Sequence, residues 1–76
     1  MDKTELVKHD IMVILFQTYG ESVGNLFQAT RRNEVLPIFV QNSYTILKQN
    51  MGKYKAAEQL DIVLSKYGIS VSSYEQ

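Results

Sequence analysis

Apolar positions fall into four stretches of helical length, and three of these stop at a glycine, since Tyr19, Met51 and Tyr67 stand directly before Gly20, Gly52 and Gly68. Glycine accepts the left-handed conformation that ends a helix without steric cost, so each marks a helix end. The first stretch, Thr4 to Tyr19, opens with Asp2 or Thr4 as a cap, and Glu5 follows Asp2 by three residues as a partial capping box. Its apolar positions, among them Leu6, Val7, Ile11, Met12, Leu15 and Tyr19, lie almost all round a helical wheel, which predicts a helix covered on most sides. A strand over Ile11–Phe16 competes, because periodicity alone does not assign a short apolar run. No second run of that length is present to pair with it, so the helix is preferred.

The second stretch, Glu21 to Arg32, carries a narrow stripe of Val23, Leu26, Phe27 and Thr30, interrupted by Gly24. The third runs to Met51 with Ile38, Phe39, Val40, Tyr44, Ile46 and Leu47. Its start is placed at Pro37, because the first helical position needs no N–H, and Asn33–Leu36 becomes the connection. The fourth, Lys53 to Tyr67, sets Ala56, Ala57, Leu60, Val63, Leu64 and Tyr67 on one face, with Gly68 and Ile69 fitting a Schellman ending. The expected architecture is all-α: one domain over residues 1–69, a small bundle of about four short helices, and a flexible tail over 70–76. No internal repeat is apparent.

Size changes the picture. A chain of 76 residues buries about 60% of its unfolded surface, so packing within one copy is marginal. Val13, Ile14, Ile38, Tyr54 and Ile62 also lie off the main stripes, and a symmetric homodimer would cover them. Tyr54 and Ile62 are the first choice as contact residues, whereas Tyr19 and Tyr67 read as the rim of the core.

Charge and chemistry narrow the function classes. Eight Lys plus Arg balance eight Asp plus Glu, which speaks against a protein that coats DNA and against an acidic disordered tail. The chain has no cysteine and one histidine, so a disulfide framework, a cysteine zinc site and a histidine cage are all excluded. No cofactor motif, metal-ligand spacing or nucleophile motif is present, and no enzyme activity is expected. The longest apolar run, Ile11–Phe16, is far below the ~20 residues that span a bilayer. The opening Met-Asp-Lys-Thr-Glu lacks a basic segment leading into an apolar one, and a cytoplasmic location is expected.

Two constellations carry chemical meaning. In His9-Asp10, an acid beside a helical histidine would hold one ring nitrogen and leave the other as a nucleophile. The segment Lys8-His9-Asp10-Ile11-Met12 resembles the phosphoacceptor box of sensor histidine kinases, whose helical hairpin dimerises into a four-helix bundle. Val13 and Ile14 depart from it, standing where that box has a polar residue and often a proline. A phosphotransfer role would require a partner kinase domain. Otherwise His9 is a surface histidine in the polar first turns of a helix.

The second constellation is basic: Arg31 and Arg32, with Lys53 and Lys55, as a patch against phosphate. The alternative is that the arginines complement the negative end of the second helix and the lysines are solvated. The balanced charge speaks against nucleic acid as a partner. The expected function is a small non-catalytic interaction or regulatory module acting as a homodimer, with a phosphotransfer hairpin using His9 and a nucleic-acid-associated factor as alternatives.

Overall fold

A single glycine makes each of two turns between helices. The computed structural model describes residues 3–69, and these form α1 (Lys3–Tyr19), α2 (Glu21–Arg31), α3 (Leu36–Met51) and α4 (Lys53–Lys66), with no strand among the described residues. The tail expected over 70–76 and the Asp2 cap lie outside them. Between α1 and α2 stands Gly20 alone: its N–H donates to Phe16 O (2.9 Å) as the last bond of one helix, and its carbonyl accepts from Gly24 N (3.1 Å) as the first bond of the next. Gly52 joins α3 to α4 in the same way, donating to Lys48 O (3.0 Å) and accepting from Ala56 N (3.1 Å).

The φ, ψ values of these joints are 89°, −179° at Gly20 and 85°, 160° at Gly52. The φ is positive as expected, but ψ is extended, a combination that is essentially glycine-only and differs from the left-handed helical region. Gly68, with φ of 66°, ends α4 as the Schellman motif requires: its N–H meets Ser65 O at 3.0 Å, and Ile69 N–H meets Leu64 O at 2.9 Å.

The matching joints reveal a repeat that the sequence reading missed. In α1 the buried residues are Val7, Lys8, Ile11, Met12 and Leu15, and in α3 they are Phe39, Val40, Ser43, Tyr44 and Leu47. Each position of the first set falls on one of the second when shifted by the 32 residues that separate Gly20 from Gly52. The next buried position, Gly24 against Ala56, keeps the same register. Identity survives in Ile14-Leu15-x-Gln17-x-x-Gly20 and Ile46-Leu47-x-Gln49-x-x-Gly52, while Ile11 against Ser43 and Lys8 against Val40 show how far the rest has diverged. The chain is two helix–glycine–helix units.

These units pack with α1 at the centre, touching all three other helices. That position explains why its apolar residues run round the wheel, and the whole of Ile11–Phe16 is helical, which removes the strand alternative. Tyr19 donates its hydroxyl to Ile46 O and ties α1 to α3. Asp10 Oδ2 accepts from Tyr67 Oη (2.8 Å) and Lys66 Nζ (3.1 Å) and ties α1 to α4. Ser43, fully buried, satisfies its hydroxyl on Phe39 O at 2.8 Å. The radius of gyration, 11.3 Å, is that of a close-packed chain of this length, about 11 Å.

Two expectations are corrected. Helix α3 begins at Leu36 rather than Pro37, so proline occupies its second position, where an N–H is equally dispensable. The stripe assigned to α2 does not face the core: Phe27 is buried, but Val23, Leu26 and Thr30 are exposed, Leu26 by 67%. The inward positions are Gly24 and Phe27. A Cβ at Gly24 would stand 2.6 Å from Phe16 Cε1, so the missing side chain lets α2 lie on that ring.

Candidate functional site

After Gly24 and Ala56 the two units part company. Helix α4 buries Leu60, Val63 and Leu64, whereas at the corresponding places α2 has Gln28, Arg31 and Arg32, and both Gln28 and Arg32 are exposed. In the second unit Val40, Tyr44, Leu60 and Leu64 all belong to the core. Of their counterparts, Met12 is likewise in the core, whereas Gln28 and Arg32 are exposed, and all four border an open hollow of about 500 Å³ between α1 and α2, together with Glu5, Leu6, His9 and Phe39. The hollow is therefore the place where leucines close one unit and long polar side chains leave the other open.

Lys8 is the side chain that the local pattern placed wrongly. It lies in the polar first turns of α1, yet it is 9% exposed, with its ammonium donating to Glu34 O (2.5 Å) and Arg32 O (3.3 Å) and lying 5.5 Å from the centre of the Phe39 ring. It thus caps carbonyls just beyond the end of α2 from another helix. Residues near 33 that supply those carbonyls are too distant in sequence for a local window to find.

His9 is exposed at the edge of this hollow. Its neighbour Asp10 turns to α4 and accepts from Tyr67 and Lys66, so the carboxylate is engaged there and the phosphoacceptor reading rests on the imidazole alone. The hydroxyl of Tyr67, then the Lys66 ammonium, hold the Asp10 carboxyl below its ordinary range. The same contact raises Tyr67 and Lys66, whose protonated forms are the ones that donate to Asp10.

The four basic residues are not brought together. Arg31 and Arg32 stand at the end of α2, Lys53 and Lys55 at the start of α4, and α3, about 24 Å long by its 16 residues, runs between those ends. Arg31 is engaged as well: it lies 5.2 Å over Phe27, and its Nη1 is 3.1 Å from Glu34 Oε2, which also accepts from Asn42. Lys53 lies 5.1 Å over the Tyr54 ring. No family model, no curated protein and no solved structure matches this chain.

Of the side chains expected at a contact surface, Tyr54 (81% exposed) and Ile62 (59%) line one shallow depression on α4 with Ala57, Glu58, Asp61 and Ser65. Val13 on α1 and Ile38 on α3 are exposed but are not among its lining residues. Ile14 is half-buried and packs against the core, because α1 is covered on three sides. Among the described residues no group of three His, Cys, Asp or Glu is placed to hold a metal ion, and no helix is long and apolar enough to cross a membrane.

Proposed function

We propose that this chain is a small helical interaction module, without catalysis of its own, that acts as a homodimer through the outer face of α4. One observation carries the reading: Tyr54 and Ile62, two turns apart on that face, are left in solvent, while the same places on α2 hold Ser22 and Thr30. Exposure of one large apolar side chain is ordinary, but two bracketing a depression floored by Ala57 form a self-complementary patch of the kind a two-fold axis pairs. Glu58 and Asp61 among its lining residues, with Lys53 over the Tyr54 ring, supply a polar rim around the apolar centre.

Sedimentation or light scattering over a concentration series tests this. The wild type is expected to show a dimer mass at tens of micromolar, and Ile62→Asp to lower that mass while leaving helix content unchanged. A monomer at all concentrations contradicts the reading. So does an Ile62→Asp variant whose dimer is as stable as the wild type's.

A further inference from the structure

We infer that the chain has a second mode of self-association, in which two copies exchange α2 about Gly20. In each copy α1 and α2 then run on as one helix, and α2 lies on the partner's α1. The partner is a second copy of this chain, and the surface is the one that α2 covers in the closed form. The inference is independent of the α4 face, and its failure would leave the function proposed above standing.

One residue separates the closed form from the straight one. Gly20 already makes both bonds of a continuous helix, from its N–H to Phe16 O and from Gly24 N to its carbonyl, and only its own φ, ψ of 89°, −179° breaks the run. The turn leaves the N–H groups of Glu21, Ser22 and Val23 at the start of α2, and the carbonyls of Gln17, Thr18 and Tyr19 at the end of α1, without partners inside either helix. Rotation of Gly20 into the helical region would pair Glu21 with Gln17, Ser22 with Thr18 and Val23 with Tyr19 in each copy.

What straightening gives up is small and recoverable. Helix α2 rests mainly on α1 and buries only Gly24 and Phe27. By contrast, α4 buries Ala56, Leu60, Val63 and Leu64, packs on both α3 and α1, and is held to α1 through Asp10. The seat of Gly24 on Phe16, and the edge contact of Phe27 with Phe39 at 5.6 Å between ring centres, would be remade by the partner's α2. Gly52 forms the same kind of joint, but its arm is anchored on two helices, so exchange belongs to the first unit.

The test is run in Ile62→Asp chains, so that pairing through α4 plays no part. Because the chain has no cysteine, spin labels can be placed by Glu5→Cys and Gln28→Cys, at two positions that border the same hollow in the closed form. Along one straight helix, rising about 1.5 Å per residue, the two labels would stand about 35 Å apart. Diluting labelled chains into unlabelled ones leaves only pairs within a chain to be read. Gly20→Ala strains the turn by about tenfold per joint, with two joints in the dimer, and should favour exchange about a hundredfold. The long distance should appear, and the mass double, as concentration rises to about a millimolar. In dilute solution mass action keeps the chain closed. Glu21→Pro suits the first position of α2 but denies the straight helix a bond and keeps Gly20 out of the helical region, so its labels should stay close at every concentration. Gly52→Ala should keep the mass of one chain. A folded Gly20→Ala chain whose labels stay close at every concentration overturns the proposal, as does a long distance that Glu21→Pro does not remove. So does a Gly52→Ala chain that dimerises as strongly, since anchorage of the arm would then decide nothing. Should Gly20→Ala not fold, chains that keep Gly20, annealed at the highest concentration, must show the long distance where Glu21→Pro shows none, and its absence there overturns the proposal equally.

Discussion

The first unit, α1 with α2, and the second, α3 with α4, share a joint and a buried register, yet only the second is closed. Up to the glycine the two agree position by position, from Val7 and Phe39 through Leu15 and Leu47. Beyond it, α4 presents Leu60 and Leu64 to its partner and packs against α1 as well, while α2 turns Phe27 inward, leaves Gln28 and Arg32 exposed at the matching places, and rests mainly on α1. The joint fixes where two helices meet, and the side chains two turns further on decide whether the angle between them fills. The core draws on both units, and only the first is left with an open hollow at its surface.

The comparison is broken most severely by giving the second unit the residues of the first. Leu60→Gln puts an amide where a leucine is fully buried, combining a lost apolar contact with an unsatisfied polar group. A cost of about 3–5 kcal/mol is expected, a large part of the roughly 4–11 kcal/mol available to a chain of this length. Urea unfolding should show it as a far lower midpoint. The reverse exchange, Gln28→Leu, should be neutral or stabilising, and destabilisation would show that the hollow is not an unfilled counterpart of the core.

The joints supply the next effect in size. Gly20→Ala and Gly52→Ala each force an L residue into a glycine-only conformation, at about 1–3 kcal/mol, and neither new methyl group meets an atom within 4 Å. The penalties should therefore be alike, since backbone strain is their common cause. Thermal melts of the two variants that differ by more than the strain itself would show that the joints are not equivalent.

Smallest is the latch between α1 and α4, whose counterpart at the same register is Asn42 of α3 donating to Glu34 just beyond α2 (3.0 and 3.1 Å). Asp10 titrates below its unfolded value, so its contribution is present above roughly pH 4 and is lost as pH falls through the depressed folded value. Tyr67 and Lys66 titrate above theirs, so their part is present below roughly pH 10 and is lost as pH rises through the raised values. Asp10→Asn should lower the melting temperature slightly at neutral pH, and the difference from the wild type should shrink at both extremes. A difference independent of pH would mean that packing, not charge, accounts for Asp10.

Much of this was legible in the residues. Glycines at 20, 52 and 68 and proline at 37 punctuate the chain, so the helix boundaries fall within about a residue of those read from the pattern. That Tyr54 and Ile62 lie outside the core was also legible, because an apolar residue out of phase with a clear stripe is a local signal. The hollow was not, for three physical reasons. Lys8 is buried by carbonyls from the far end of another helix. Leu26 and Val23 sit in phase with Phe27 but are exposed, while Gly24, not a larger residue, makes the close contact with Phe16. The repeat lies in burial more than in identity, and Ser43 opposite Ile11 in register hides it from composition. The Ile-Leu-x-Gln-x-x-Gly segment before each joint was the one signal that pointed to it.

Residue-level amide hydrogen exchange on the wild-type chain tests the two-unit relation most directly, because protection follows how well each helix is covered. Matched buried positions of α1 and α3, such as Leu15 and Leu47, should exchange at similar slow rates. The second half of α2, from Phe27 to Arg31, should exchange markedly faster than Gln59 to Val63 in α4. Equal protection of those two segments, or an α1 that opens independently of α3, would contradict it.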